Sequence, residues 1–125
     1  MVKSILIADD NALIRQGLCE LFSREADFEV CGEAENGREA IEEAQELQPD
    51  LILLDLSMPV MNGLDAARAL TRLMPEVPVI MYSAYGDSFT QREARSAGVS
   101  ALVSKSENIA VLLGKARSLV YEIAA

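Results

Sequence analysis

Leu51-Ile52-Leu53-Leu54 is an unbroken apolar run that ends on a carboxylate, Asp55. Turn residues bracket it, Pro49-Asp50 before and Pro59 and Gly63 after. A short run without polar alternation reads as a strand buried on both faces, and such strands belong to parallel sheets covered by helices. A charge at the end of one costs free energy unless it lies at the solvent mouth of the sheet or has partners. Asp55 is therefore the residue to explain.

The rest of the chain repeats the theme. Ser4 to Ala8 is an apolar run that ends in Asp9 and Asp10, and Asn11 is a good N-cap for the helix that follows. Leu13/Ile14, Leu18 and Leu21/Phe22 recur at helical spacing. Glu29 to Ala34 reads as a weaker strand near a sheet edge, and Asn36-Gly37 as a turn. Ala40, Ile41, Ala44 and Leu47 form a second stripe that stops before Pro49. Leu64, Ala67, Leu70 and Leu73/Met74 form a third, ended by Pro75. Val79 to Ser83 is a further strand, and Asp87 or Ser88 caps a fourth helix that Ala97-Gly98 stops. Ala101 to Ser104 is the last strand, with Lys105 directly after it. Ile109, Leu112/Leu113, Ala116, Leu119/Val120 and Ile123 mark the final helix.

Strand–helix alternation predicts an α/β fold with helices on both faces of a parallel sheet. Right-handed crossovers leave few topologies. For five strands the expectation is a doubly wound, flavodoxin-like sheet in the order 2-1-3-4-5, with its site outside the carboxyl ends near strands 1 and 3. The 125 residues suit one domain, residues 1–125. A net charge of −9 argues against nucleic acid or an anionic membrane as direct partner. No apolar run approaches the ~20 residues of a membrane span. Met1-Val2-Lys3 leads straight into a strand and is no signal peptide. Cys19 and Cys31 read as buried free thiols; they are too far apart for a CxxC pair, and no histidine exists to complete a zinc site. The location these features imply is cytoplasmic.

The strand ends assemble a constellation: Asp9 and Asp10 from strand 1, Asp55 from strand 3, Ser83 from strand 4 and Lys105 from strand 5. Carboxylates brought close raise one another's pKa unless a cation intervenes. An all-oxygen cluster suits a hard dication, with Mg²⁺ the default, and the Ser57 carbonyl completes the protein ligands. A carboxylate beside such an ion can attack a phosphoryl group and form an aspartyl phosphate. Asp55, the single acid on the central strand, is the nucleophile. Asp9 and Asp10 are metal ligands, while Lys105 and Ser83 bind phosphoryl oxygens.

In this order and spacing the residues resemble the receiver domain of two-component response regulators. The match runs through Asp9-Asp10, Leu54-Asp55-Leu56 with Met58-Pro59, Met61-Asn62-Gly63, Pro78-Val79-Ile80 leading to Ser83-Ala84, Ala97-Gly98 and Lys105. Relatives of this family are standing examples of the 2-1-3-4-5 order, so order and resemblance are not independent. The resemblance implies that a sensor histidine kinase, or a histidine phosphotransfer protein, donates phosphate to Asp55. It implies a signalling domain that phosphorylates and dephosphorylates itself, not a turnover enzyme. It further implies that Ser83 moves toward the phosphoryl group and a strand 5 side chain follows, changing a surface for downstream proteins.

Two positions depart from the family pattern. The residue three before the lysine is usually aromatic and here is Leu102, which puts a ring-flip switch in doubt and leaves Tyr82 and Tyr85 as candidates to move instead. Ser106 stands where proline usually follows the lysine, so no cis peptide is expected there. A Lys-Ser pair resembles receivers that precede helix-turn-helix output domains. The chain shows no output domain, and a single-domain receiver and an excised N-terminal domain both fit. Monomer and weak homodimer likewise stay open. A receiver-like module that is never phosphorylated is the main alternative. An aspartyl-phosphate phosphatase would need a second acid where Ser57 stands. A flavin site would need a neutral phosphate loop where Asp9 and Asp10 stand.

Overall fold

A computed structural model describes residues 2–84 and 87–121. Ten elements alternate along the chain: β1 (Lys3–Ala8), α1 (Ala12–Ser23), β2 (Phe28–Ala34), α2 (Gly37–Leu47), β3 (Leu51–Asp55), α3 (Gly63–Leu73), β4 (Val79–Ser83), α4 (Ser88–Ser96), β5 (Ala101–Ser104) and α5 (Ile109–Val120). The sheet order is β2-β1-β3-β4-β5, as expected, with all pairings parallel. The protein is thus a flavodoxin-like α/β domain.

Strand alternation divides the interior in two. Leu6, Ile52, Leu54, Val79 and Met81 face α2 and α3, where they meet Ala40, Ala44, Ala66, Ala67 and Leu70. Ile5, Ile7, Leu51, Leu53, Ile80 and Val103 face the other way and meet Leu18 and Phe22 of α1 and Leu112 and Ala116 of α5. All five residues of β3 are buried, which explains its run without alternation. β2 lies at the edge and is correspondingly polar, and its register against β1 slips between Ile5 and Leu6.

The caps are local chemistry. Asn11 Oδ1 accepts from the N–H groups of Leu13 and Ile14, and Asn62 and Asn36 cap α3 and α2 in the same manner. Of the two candidates for α4, Asp87 is the cap, accepting from Thr90 N at 2.7 Å. Gly98 ends the following turn at φ +89°, a conformation open to glycine.

One expectation fails in α1. Leu13 and Ile14 fit the apolar stripe but are exposed, Leu13 at 80%. They occupy the helix's first turn, at the rim of a cleft that Ile14 lines. Ile109, at the start of α5, is exposed in the same way, whereas Leu112 and Ala116 are buried. Ile123 and Tyr85 lie outside the described residues.

Candidate functional site

The carboxyl edge of the sheet opens into a cleft of about 320 Å³ lined by Asp9, Asp10, Asp55, Ser57, Ser83 and Lys105, among others. All six residues expected at the site from sequence are therefore brought together. Asp55 closes β3 and Ser83 closes β4, while Asp9 and Lys105 follow the last residues of β1 and β5. Asp9, Asp55 and Ser83 are buried, and Asp10 and Ser57 are exposed.

One oxygen each from Asp9, Asp10 and Asp55 lies within 4.8 Å of the others. Lys105 Nζ sits 2.9 Å from Asp55 Oδ1 and 3.7 Å from Asp9 Oδ2. Asp9 Oδ1 accepts the Asn11 N–H at 2.9 Å, but the buried Oδ2 accepts no hydrogen bond. A buried carboxylate oxygen without a hydrogen bond is costly unless a cation faces it; the Lys105 ammonium does so only at 3.7 Å, which leaves the oxygen open to a closer cation. Three carboxylates gathered in this way form the oxygen-rich donor set that a hard dication takes. The residues present thus fit Mg²⁺.

Burial pushes the Asp55 carboxyl above its ordinary value. The Lys105 hydrogen bond opposes that rise, the charges of Asp9 and Asp10 add to it, and the net direction is up. Burial pulls the Lys105 ammonium the other way, but its hydrogen bond to Asp55 and the charges of Asp55 and Asp9 carry its pKa up on balance.

Neighbouring structure fixes both partners. The Gly63 N–H donates to the Leu56 carbonyl at 2.9 Å, and a Cβ on Gly63 would stand 2.2 Å from the Asp55 carbonyl oxygen. α3 therefore abuts the main chain that carries Asp55. The Lys105 N–H donates to the Ser83 carbonyl at 2.7 Å, tying the ends of β4 and β5. Lys105 Nζ also lies 5.7 Å from the Tyr82 ring centroid. Among the described residues no peptide bond is cis, in keeping with Ser106 after the lysine.

Tyr82 and Leu102 fall on opposite sides of the sheet. Tyr82 packs against the α1/α5 core and Leu102 against the α2/α3 core. Leu102 also lines a groove with Gln91, Ala94, Arg95 and Val99. A larger groove of about 600 Å³ adjoins the site between the β3–α3 loop and α4, lined by Met58, Pro59 and Phe89 among others. It contains Asp10 but no lysine, so the charged chemistry belongs to the smaller cleft. Sequence reading missed Arg15, whose Nη1 donates to the Asp9 carbonyl at 2.7 Å, and the steric role of Gly63. The helical stripe offered no signal for Arg15, because a polar residue between apolar ones reads as solvent-facing.

Fold and site together define a class: a doubly wound α/β domain with an acidic, lysine-bearing cleft at its topological switch point. The chain matches the response regulator receiver domain family over residues 5–117, and it belongs to that family. It is 41% identical to the chemotaxis protein CheY of Thermotoga maritima over 105 residues, 84% of this chain and 87% of that protein. It is 39% identical to the transcriptional regulatory protein LnrK of Bacillus subtilis over 105 residues, 84% of this chain but 47% of that protein, so it spans about half of LnrK. In structure it resembles the CheX–CheY–BeF3–Mg²⁺ complex of Borrelia burgdorferi, with a TM-score of 0.88, 25% identity, and coverage of 94% of this chain and 88% of that one. The protein is a receiver domain of two-component phosphorelay signalling.

Proposed function

We propose that Asp55 accepts a phosphoryl group from a phosphohistidine on a sensor kinase or phosphotransfer protein. The single observation behind this reading is the Lys105 ammonium 2.9 Å from Asp55 Oδ1, beside a buried Asp9 oxygen that lacks a hydrogen-bond donor. The chain contains no histidine, so the donor is another molecule. An Asp55 carboxylate oxygen attacks phosphorus, and a P–O bond forms as the P–N bond to the donor imidazole breaks. The imidazole nitrogen keeps the electron pair and takes a proton from water. Lys105 passes from the carboxylate to a phosphoryl oxygen, and the Ser83 hydroxyl donates to another. Asp9, Asp10, Asp55 and the Ser57 carbonyl would hold Mg²⁺, which neutralises charge on the transferring group.

The product is a switch state, not a released metabolite. Ser57 stands where an aspartyl-phosphate phosphatase needs its second acid, which favours signalling over turnover. Residues 1–125 form one receiver unit whose changed surface is read by a downstream protein or by an output domain. Leu102, Tyr82 and Tyr85 are the candidate relay side chains. Among the described residues no helix is long and apolar enough to cross a membrane. A cytoplasmic location is part of this reading, because it rests on the family's role as a partner of sensor kinases. The reading is tested by incubating the protein with Mg²⁺ and a small acyl-phosphate donor, then measuring intact mass. One added phosphoryl group is expected on the wild type and none on Asp55→Asn. No label on the wild type would favour an unphosphorylated interaction module.

A further inference from the structure

Arg15 is the fourth residue of α1, yet its side chain is only 13% exposed. Nη1 donates to the Asp9 carbonyl at 2.7 Å, Nε donates to Glu33 Oε1 at 3.0 Å, and Nη2 lies 3.7 Å from Glu35 Oε1. Asp9 is fixed elsewhere as well. Its N–H donates to the Ala34 carbonyl at 3.0 Å, and its Oδ1 accepts the Asn11 N–H. With Arg15 on the carbonyl, each polar group of Asp9 is hydrogen-bonded except the buried Oδ2, which faces the Lys105 ammonium at 3.7 Å.

We propose that Arg15 is a positioning residue for the cation site: it clamps the Asp9 main chain to the end of β2 and so aims Oδ2 into the cleft. This rests on the reading of Asp9, Asp10 and Asp55 as Mg²⁺ ligands. A guanidinium suits the task because its planar fork reaches several acceptors at once, which a lysine ammonium on a flexible stem does not reproduce. Partners that orient metal ligands typically matter about 10- to 100-fold in affinity.

Two effects of opposite sign make the inference testable. Arg15 carries positive charge near three carboxylates, so on Coulombic grounds alone its removal tightens a dication. As a clamp, its removal weakens one. Glu33 and Glu35 offset the charge locally, which leaves geometry as the larger effect. The experiment is calorimetric titration with Mg²⁺ alone of the wild type, Arg15→Ala and Arg15→Lys, together with amide exchange of the metal-free proteins.

Arg15→Ala is expected to bind Mg²⁺ about tenfold more weakly. Arg15→Lys keeps the charge and is expected to lie between it and the wild type. Without metal, the Asn11 amide should exchange faster in Arg15→Ala while amides within β1, β3 and β4 keep their protection. A merely structural arginine would lower general protection and leave Mg²⁺ affinity alone. Equal or tighter Mg²⁺ binding by Arg15→Ala overturns the proposal. If that variant does not fold, wild-type affinity in Arg15→Lys overturns it. Absence of Mg²⁺ binding by the wild type removes the cation reading itself, and is told apart because it occurs without any substitution.

Discussion

Gly63→Ala tests how rigidly Asp55, the proposed nucleophile, is held. The added Cβ would lie 2.2 Å from the Asp55 carbonyl oxygen and 3.0 Å from both the Asp55 carbonyl carbon and the Leu56 Cα. Relief requires a shift of about 1 Å, and the opposing atoms are all main chain, in a segment tied by the Gly63–Leu56 hydrogen bond. Overpacking of this kind costs about 1–3 kcal/mol, and the backbone contact argues for the upper part of that range. A control comes from the same substitution elsewhere. Gly17 and Gly114 lie within exposed helical stretches with nothing within 4 Å of a Cβ, so alanine there should stabilise by about 0.5–1 kcal/mol. Urea unfolding of the three variants therefore predicts opposite signs for one chemical change. A second readout is the rate of labelling by an acyl-phosphate donor. A misplacement of about 1 Å at a reacting centre can cost ~100-fold, and only Gly63→Ala should show a loss of that order. Gly63→Ala with wild-type stability and labelling rate would refute the claim that α3 fixes Asp55.

Three further outcomes follow from particular contacts. Because the folded state raises the Asp55 pKa, folding holds that proton longer than the unfolded chain does. Stability then falls as pH rises from about 3.9 through the raised value, and the cost is complete above it. Metal-free Asp55→Asn should accordingly melt higher than the wild type at pH 7, with the difference vanishing near pH 3; a lower melting temperature at pH 7 would mean that the Lys105 pairing outweighs burial. Val60 is exposed and sits at φ +67°, a strained setting for a β-branched residue, so Val60→Asn should gain about 1 kcal/mol in urea unfolding. Arg117 ties α5 to the α1–β2 segment through Asp27 and Glu25 and is 40% exposed. Arg117→Ala should cost about 1 kcal/mol or less, with the loss shrinking as salt is added. Because the Arg117 hydrogen bond lowers the Asp27 pKa, that contribution is present above about pH 3.9 and fades as pH falls through the depressed value, which thermal melts across pH can follow.

The strands were legible because burial on both faces of a parallel sheet leaves a plain apolar run, and β3 is the clearest case. The start of α1 was legible at Asn11, and that of α4 to within Asp87 or Ser88, because capping is local chemistry. The cleft was legible because polar residues ended several such strands in a row. Other features depended on where elements stop relative to one another. Leu13 and Ile14 obey the helical period but stand on the first turn of α1, at the rim of the cleft, where periodicity says nothing of the sheet's extent. Arg15 could not be read because its acceptors are the Asp9 main chain and two residues of the β2 end. The clearance at Gly63 is a fact of tertiary approach. The opposite facing of Tyr82 and Leu102 was within reach by counting alternate residues from Met81 and Val103.

The two-sided interior has a consequence for how news of phosphorylation could travel. Asp55 shares its parity with Leu51 and Leu53, on the α1/α5 side, and pairs across the sheet with Tyr82 on that side. Ser83 shares its parity with Val79 and Met81, on the opposite side. Ser83 thus lines the cleft from the far compartment, and its carbonyl accepts the N–H of Lys105, the cleft's lysine. A pull on Ser83 would therefore act first on the α2/α3 side of the sheet, and a pull on Asp55 on the α1/α5 side.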